Sequence, residues 1–253
     1  MQGMDMSSMR HDDIPPAQSA GTPEEGRSAD YSDGYRGGRM PGMEMSDQAR
    51  LGTLRLDQFE YTRDDHGNHA GFLDGEFQYG GDFDKLSLEA EGRFGSAFRM
   101  EALWTHAVSA YWNTQLGLRH DFGEGPGRTF AGFGLEGLAP YRLETQAAVY
   151  AGEDGRTAAR LQLEYEARFT QRLVLQPKLQ LNLYGKDDPR RGIGAGLSDT
   201  EFGLRLRYEI RRGFAPYLGV AWQWRYGRTA DLARARGEHA GEVQFVAGLR
   251  AWF

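Results

Sequence analysis

From Leu51 to the end of the chain, apolar and polar residues alternate in segments of about ten, separated by turn residues. A period of two sends successive side chains to opposite faces of an extended backbone, so each segment reads as a strand with two unlike faces. In 171–184, Leu173, Leu175, Leu179, Leu181 and Leu183 share one face; Arg172, Gln176, Lys178, Gln180 and Asn182 share the other, broken only by Val174. In 201–210, Phe202, Leu204, Leu206, Tyr208 and Ile210 oppose Glu201, Arg205, Arg207 and Glu209. Phe214, Leu218, Val220, Trp222, Trp224 and Tyr226 make a third apolar face, and Val243, Phe245, Ala247, Leu249, Ala251 and Phe253 a fourth. Twelve such segments are predicted, over about 50–62, 69–79, 84–94, 98–107, 110–121, 128–138, 142–151, 157–167, 171–184, 200–211, 214–226 and 241–253. No stretch with the period of an amphipathic helix competes with them.

The connections add an independent signal. Every second link is short (about 80–83, 108–109, 139–141, 168–170 and 212–213), whereas the others run longer, above all 185–199 and 227–240. Short turns at one end and long loops at the other are the layout of outer-membrane barrels, and an even strand count puts both termini on the short-turn, periplasmic side. Periodicity alone does not say which face points inward, and a soluble lipocalin-like barrel would reverse it. Three features favour the membrane version. Aromatics stand near strand ends (Tyr61, Tyr79, Trp104, Tyr111, Trp112, Tyr150, Tyr184, Trp252), as interfacial girdles require. The chain closes an amphipathic strand on Phe253. Twelve strands also exceed the usual eight of soluble up-and-down barrels.

The expected fold is therefore all-β: an outer-membrane antiparallel up-and-down β-barrel of about 12 strands over residues 48–253, preceded by a disordered methionine-rich segment over residues 1–47. That leader holds Gly, Ser, Asp, Pro and Met, with Tyr31 and Tyr35 its only aromatics, too little apolar surface to offset the entropy of ordering. Residues 1–20 lack the basic start and apolar core of a signal peptide, so export implies a processed chain.

Composition narrows the chemistry. The net charge is −6 and the basic residues are scattered, which argues against a nucleic-acid partner. Of 30 basic residues only Lys85, Lys178 and Lys186 are lysine; arginine, with its planar fork, suits fixed ion pairs, although a GC-rich genome would also enrich it. With no cysteine, disulfides, iron–sulfur clusters and thiolate metal sites are excluded.

Seven of the eight methionines lie in the first 45 residues. Beyond Met1 they form two clusters, MDMSSMRH with Met4, Met6, Met9 and His11, and MPGMEM with Met40, Met43 and Met45. Methionine is ordinarily a core filler, but this polar, Gly-rich stretch offers no core. Soft Cu(I) prefers sulfur donors, and thioethers at spacings of two and three residues can present several sulfurs to one ion. Ag(I) is similarly soft, and a plain low-complexity tail is the alternative. Met100 and His106 share a predicted strand with Phe98 and Trp104, facing either lipid or a second metal site at the barrel rim. His66 and His69, in HGNH, and His120 and His239 fall in or near predicted long loops. The polar faces carry both charge signs, among them Glu76, Glu89, Glu91, Arg99, Glu101, Arg119, Arg160, Arg205 and Arg207, as a lumen tied by ion pairs would. No nucleophile elbow, phosphate loop or zinc-protease helix is present, so the expected role is non-enzymatic. A general small-solute pore with an incidental tail is the second reading; an outer-membrane hydrolase, with no triad to nominate, is the third.

Several strings are longer than any short pattern: DGEFQYGGDFDKLSLEAEG at 74–92, YWNTQLGLRHDF at 111–122, GLEGLAPYRLET at 134–145, the run from Thr170 to Trp222, and GRTADLAR at 227–234. Through them the chain resembles the copper resistance protein B family (CopB/PcoB) of bacterial outer membranes over about 70–253. The Met-rich leader matches that family in kind. The resemblance implies copper handling in the periplasm, by sequestration or by export across the outer membrane. It also implies copper ions, outer-membrane lipid and periplasmic copper proteins such as a multicopper oxidase as partners.

Overall fold

A computed structural model describes residues 50–123 and 125–253. They form one closed sheet. Its strands are β1 (Leu51–Asp64), β2 (His69–Gly80), β3 (Asp84–Arg93), β4 (Phe98–Ala107), β5 (Trp112–Phe122) and β6 (Arg128–Ala139). They continue as β7 (Leu143–Gly152), β8 (Thr157–Glu164, resumed at Ala167–Arg168), β9 (Leu173–Tyr184), β10 (Gly196–Tyr208), β11 (Phe214–Arg225) and β12 (Gly241–Trp252). Each pairs antiparallel with its sequence neighbours, and β12 pairs back onto β1 from Arg55↔Trp252 to Asp64↔Gln244, which closes a 12-stranded barrel. Closure leaves no edge of unpaired backbone groups, the condition a sheet must meet in lipid.

The distribution of side chains is inverted relative to a soluble domain. Glu60, Glu101, Gln115, Arg119, Lys178, Arg205 and Arg207 are buried inside, whereas Phe59, Trp104, Leu118, Phe133, Leu218 and Phe245 are exposed on the outer wall. The apolar phase of each strand therefore faces outward, the membrane version of the two barrels periodicity allowed. Leu118, 59% exposed near the middle of β5, tests this. Leu118→Arg should destabilise the barrel by ~2–4 kcal/mol in bilayers, measured by denaturant titration in lipid vesicles.

Departures from the predicted pattern have local causes. In β1 the register shifts between Leu56 and Gln58, a bulge at Asp57. The bulge moves the outward phase from Leu54 and Leu56 to Phe59 and Tyr61. In β8 the break at Tyr165–Glu166 lies opposite Pro177 and Gln176, where proline has no N–H to donate to the ladder. β10 begins at Gly196, earlier than expected, and the predicted loop 227–240 contains a helix, α1 (Gly227–Ala235). Helix α1 buries Thr229, Ala230 and Ala233. Thr229 Oγ1 accepts the Gly194 N–H at 2.9 Å and lies 2.9 Å from Ser198 Oγ, so the helix is held at the long-loop mouth. Three aromatics expected in the girdle turn to the inner phase, and one of them, Trp252, lies in line with Arg250 at the short-turn end. Tyr150 is buried in the lumen, and Tyr184 meets Arg119 there. Gly132 makes room for Tyr150, since a Cβ at that position would stand 2.9 Å from its ring.

Candidate functional site

The lumen is the candidate site, and ion pairs that span it define its geometry. Arg205 on β10 grips Glu60 on β1 through Nε at 2.6 Å and Nη2 at 3.3 Å, and the Tyr217 hydroxyl donates to the same carboxylate at 2.9 Å. Arg160 on β8 reaches Glu91 on β3 at 2.6 Å, and Arg99 joins that carboxylate at 3.1 Å. Lys178 on β9 meets Asp74 on β2 at 3.1 Å. Tyr150 on β7 donates to Glu101 on β4 at 3.1 Å. The strand pairs β10–β1, β8–β3, β9–β2 and β7–β4 are not adjacent in the sheet, so those contacts are struts across the barrel, whereas Arg99 reaches Glu91 from the neighbouring strand β4.

The struts divide the interior. A cavity of about 440 Å³ opens near the short-turn end beside Glu166, Arg207 and Arg250, where Glu166 takes both guanidiniums. A second, of about 420 Å³, opens near the long-loop end beside Arg119, Asp121 and Thr229. Between them a space of only about 50 Å³ is lined by Asp57, Asp74, Glu89, Glu91 and Glu101 against Arg99 and Arg160. Carboxylates outnumber guanidiniums there, and Glu89 has no ion-pair or hydrogen-bond partner among the described residues.

At the long-loop mouth, Asp188 binds Arg128 Nε at 2.8 Å and lies 3.5 Å from Arg156 Nε. Burial pushes the Asp188 carboxyl up, but the hydrogen bond and charge of Arg128, with Arg156 and Arg191 nearby, outweigh it and hold it below the ordinary carboxylate range. A depressed acid contributes stability above its unfolded-state pKa and loses it as pH falls through the folded one. Hydrogen-exchange protection at Ile193, whose N–H is bonded to the Asp188 carbonyl at 3.1 Å, should hold from neutrality down to about pH 4 and fall only below that. Asp188→Asn should lose that protection at neutral pH.

The sequence-predicted metal residues are placed as follows. Met4, Met6, Met9, His11, Met40, Met43 and Met45 lie outside the described residues. Met100 and His106 both sit on the outer face of β4, six positions apart, so they do not converge on one point. Met100 stands opposite His120 in the β4–β5 ladder. His106 Nδ1 is 2.8 Å from Asp84 Oδ1, which also accepts the Trp104 indole N–H at 3.0 Å. No histidine or methionine lines the three lumen cavities, so the donors these cavities offer are oxygen and nitrogen from carboxylates, hydroxyls, amides and guanidiniums. Among the described residues, no three of His, Asp or Glu converge ready to hold a metal ion.

Sequence reasoning missed Glu60, Asp74 and Tyr217 as lumen residues. Glu60 lies past the β1 bulge, and the switch to Phe59 and Tyr61 as the apolar phase was its one available signal. Tyr217 falls in the polar phase of β11, and an aromatic there already marks an inward position.

Comparison with known proteins places these features. The family model described as copper resistance protein B precursor (CopB) matches residues 50–253. Copper resistance protein B of Escherichia coli is 42% identical over 220 residues, covering 85% of this chain and 74% of that protein. The copper resistance protein B homolog of Pseudomonas syringae pv. tomato is 49% identical over 178 residues, 69% of this chain and 60% of that relative's length. Among solved structures, the NanC porin in its rhombohedral crystal form superposes with a TM-score of 0.52 at 14% identity, over 79% of this chain and 99% of that one, a likeness of fold.

Proposed function

Because the chain belongs to the copper resistance protein B family, we propose that it acts in copper resistance as a non-enzymatic copper-binding barrel of the bacterial outer membrane, with both termini on the periplasmic side. The methionines at 4, 6, 9, 40, 43 and 45, with His11, bind copper as Cu(I), and the bound copper is sequestered there or passed to the barrel for export. The observation that carries this reading is the segregation of donors. Soft sulfur is concentrated in residues 1–45, whereas the lumen cavities are lined by hard oxygen and nitrogen groups. A Cu(I) ion prefers the first set. Periplasmic copper proteins, such as a multicopper oxidase, are the partners this location would supply.

The orientation is supported by the outward apolar wall and by the short turns beside β1 and β12. A general solute pore is disfavoured by the struts at Glu60–Arg205, Glu91–Arg160 and Asp74–Lys178, which cross the lumen between the two mouths. Two measurements test the proposal together: anaerobic Cu(I) titration of the full chain against a chain starting at residue 48, and single-channel recording in planar bilayers. A wide conductance indifferent to copper, with unchanged Cu(I) capacity after truncation, would overturn it in favour of the pore.

A further inference from the structure

Two histidines that are 173 positions apart in the sequence meet at the long-loop end. His66, in the β1–β2 hairpin, and His239, in the β11–β12 connection, stack with ring centroids 3.8 Å apart and planes inclined by 16°. Along the chain the nearest histidine to His66 is His69, in HGNH. In the fold His69 turns to the outer wall and lies against Tyr61, 6.1 Å between centroids.

Both loops are held in place before any ligand arrives. In the hairpin, Asp64 Oδ1 accepts the N–H groups of His66 at 3.0 Å and Asn68 at 2.7 Å, and Asp64 Oδ2 takes the Asn68 side-chain amide at 2.8 Å. The Asp65 N–H bonds the Val243 carbonyl at 3.0 Å, tying the hairpin to β12. On the other side, Arg225 pairs with Glu238 at 2.5 Å and donates to the His239 carbonyl at 3.4 Å. His66 Nδ1 lies 2.9 Å from Asp65 Oδ1. A carboxylate on one ring nitrogen fixes the tautomer and raises the basicity of the other, the arrangement that surrounds metal-ligating histidines.

We propose that His66 and His239 form a two-imidazole site for a divalent, imidazole-preferring metal ion, Cu(II) first among them. Two nitrogens bound to one ion at about 2.0–2.1 Å stand about 3–4 Å apart; the two rings are near enough that turning them out of the stack would aim a nitrogen of each at one ion. His66 presents Nε2, and water completes the coordination shell, since among the described residues two imidazoles meet here. Among divalent first-row ions Cu(II) binds such nitrogen sites most tightly. With the termini periplasmic, as proposed above, the site faces the cell exterior, where copper is encountered in its oxidised form. The histidine pair needs no thioether and does not depend on the methionine reading, which is tested with Cu(I).

The test uses the full chain in detergent, loaded with one equivalent of aqueous Cu(II) and read by electron paramagnetic resonance. The wild type should show hyperfine coupling to two imidazole nitrogens. His66→Ala and His239→Ala should each abolish the two-nitrogen pattern and weaken Cu(II) binding at least tenfold. His69→Ala and His11→Ala should leave both unchanged, and His66→Ala, His239→Ala and His69→Ala should keep wild-type Cu(I) capacity. Survival of the pattern in His66→Ala or His239→Ala overturns the site. So does its loss in His69→Ala, which would return the metal to HGNH, or in His11→Ala, which would assign it to the leader.

Discussion

A chain beginning at residue 48 should fold as a barrel and lose most of its Cu(I), on the order of two equivalents, one for each three-sulfur cluster. The argument is one of donor inventory. Removing residues 1–47 deletes Met4, Met6, Met9, Met40, Met43 and Met45 but leaves all twelve strands and every lumen strut. Met100 is then the one thioether left, and it sits alone on the outer wall, 50% exposed. Met40→Leu, Met43→Leu and Met45→Leu combined should remove about one equivalent, because leucine keeps the volume and discards the sulfur. Competition titration under anaerobic conditions reads both results. The folded state of the truncated barrel is checked by its resistance to unfolding in cold detergent. A truncated barrel that still holds the full complement would move the copper site from the leader to the lumen.

The second large effect concerns the strut between β10 and β1. Arg205→Ala should destabilise the barrel by ~3–5 kcal/mol, the cost of leaving a buried charge unpaired. Glu60 and Arg205 have side chains only 2% and 3% exposed, and the pair is bidentate. With the guanidinium gone, Glu60 retains the Tyr217 hydroxyl alone. Removing both charges together, as Glu60→Gln with Arg205→Met, should recover much of the loss, since two desolvated ions are then no longer held in the wall. A double-mutant cycle by denaturant titration in lipid vesicles separates the pair from its surroundings. A cost below about 1 kcal/mol for Arg205→Ala would mean that lumen water screens the pair as it does at a surface. The strut would then be a filler, not a brace.

Much of the barrel was legible because a strand between lipid and a polar lumen must alternate. The run at 201–210 did so cleanly, and those at 171–184 and 241–253 with breaks such as Val174 and Val246; β9, β10 and β12 follow them. Alternation failed where the backbone stopped being regular. The bulge at Asp57 inserts one residue and exchanges the faces of β1, which hid Glu60. Helix α1 was unreadable for a different reason: it is a short helix braced by Gly194 and Ser198 from a neighbouring loop and strand, and nothing in GRTADLARA alone demands it. Tyr150 and Tyr184 were misplaced because nearness to a strand end does not say to which side a ring turns.

The amino-acid sequence by itself determined the alternating strands and the gathering of soft sulfur at residues 1–45, since each depends on local order along the chain; which face of the strands turns outward was settled in the closed barrel. Only the tertiary structure decided which charges neutralise one another. Glu60 with Arg205, Glu91 with Arg160, and His66 beside His239 are partners separated by between 69 and 173 positions. Those pairings follow from barrel closure and strand register, which bring distant residues to the same height across a narrow lumen or to the same mouth.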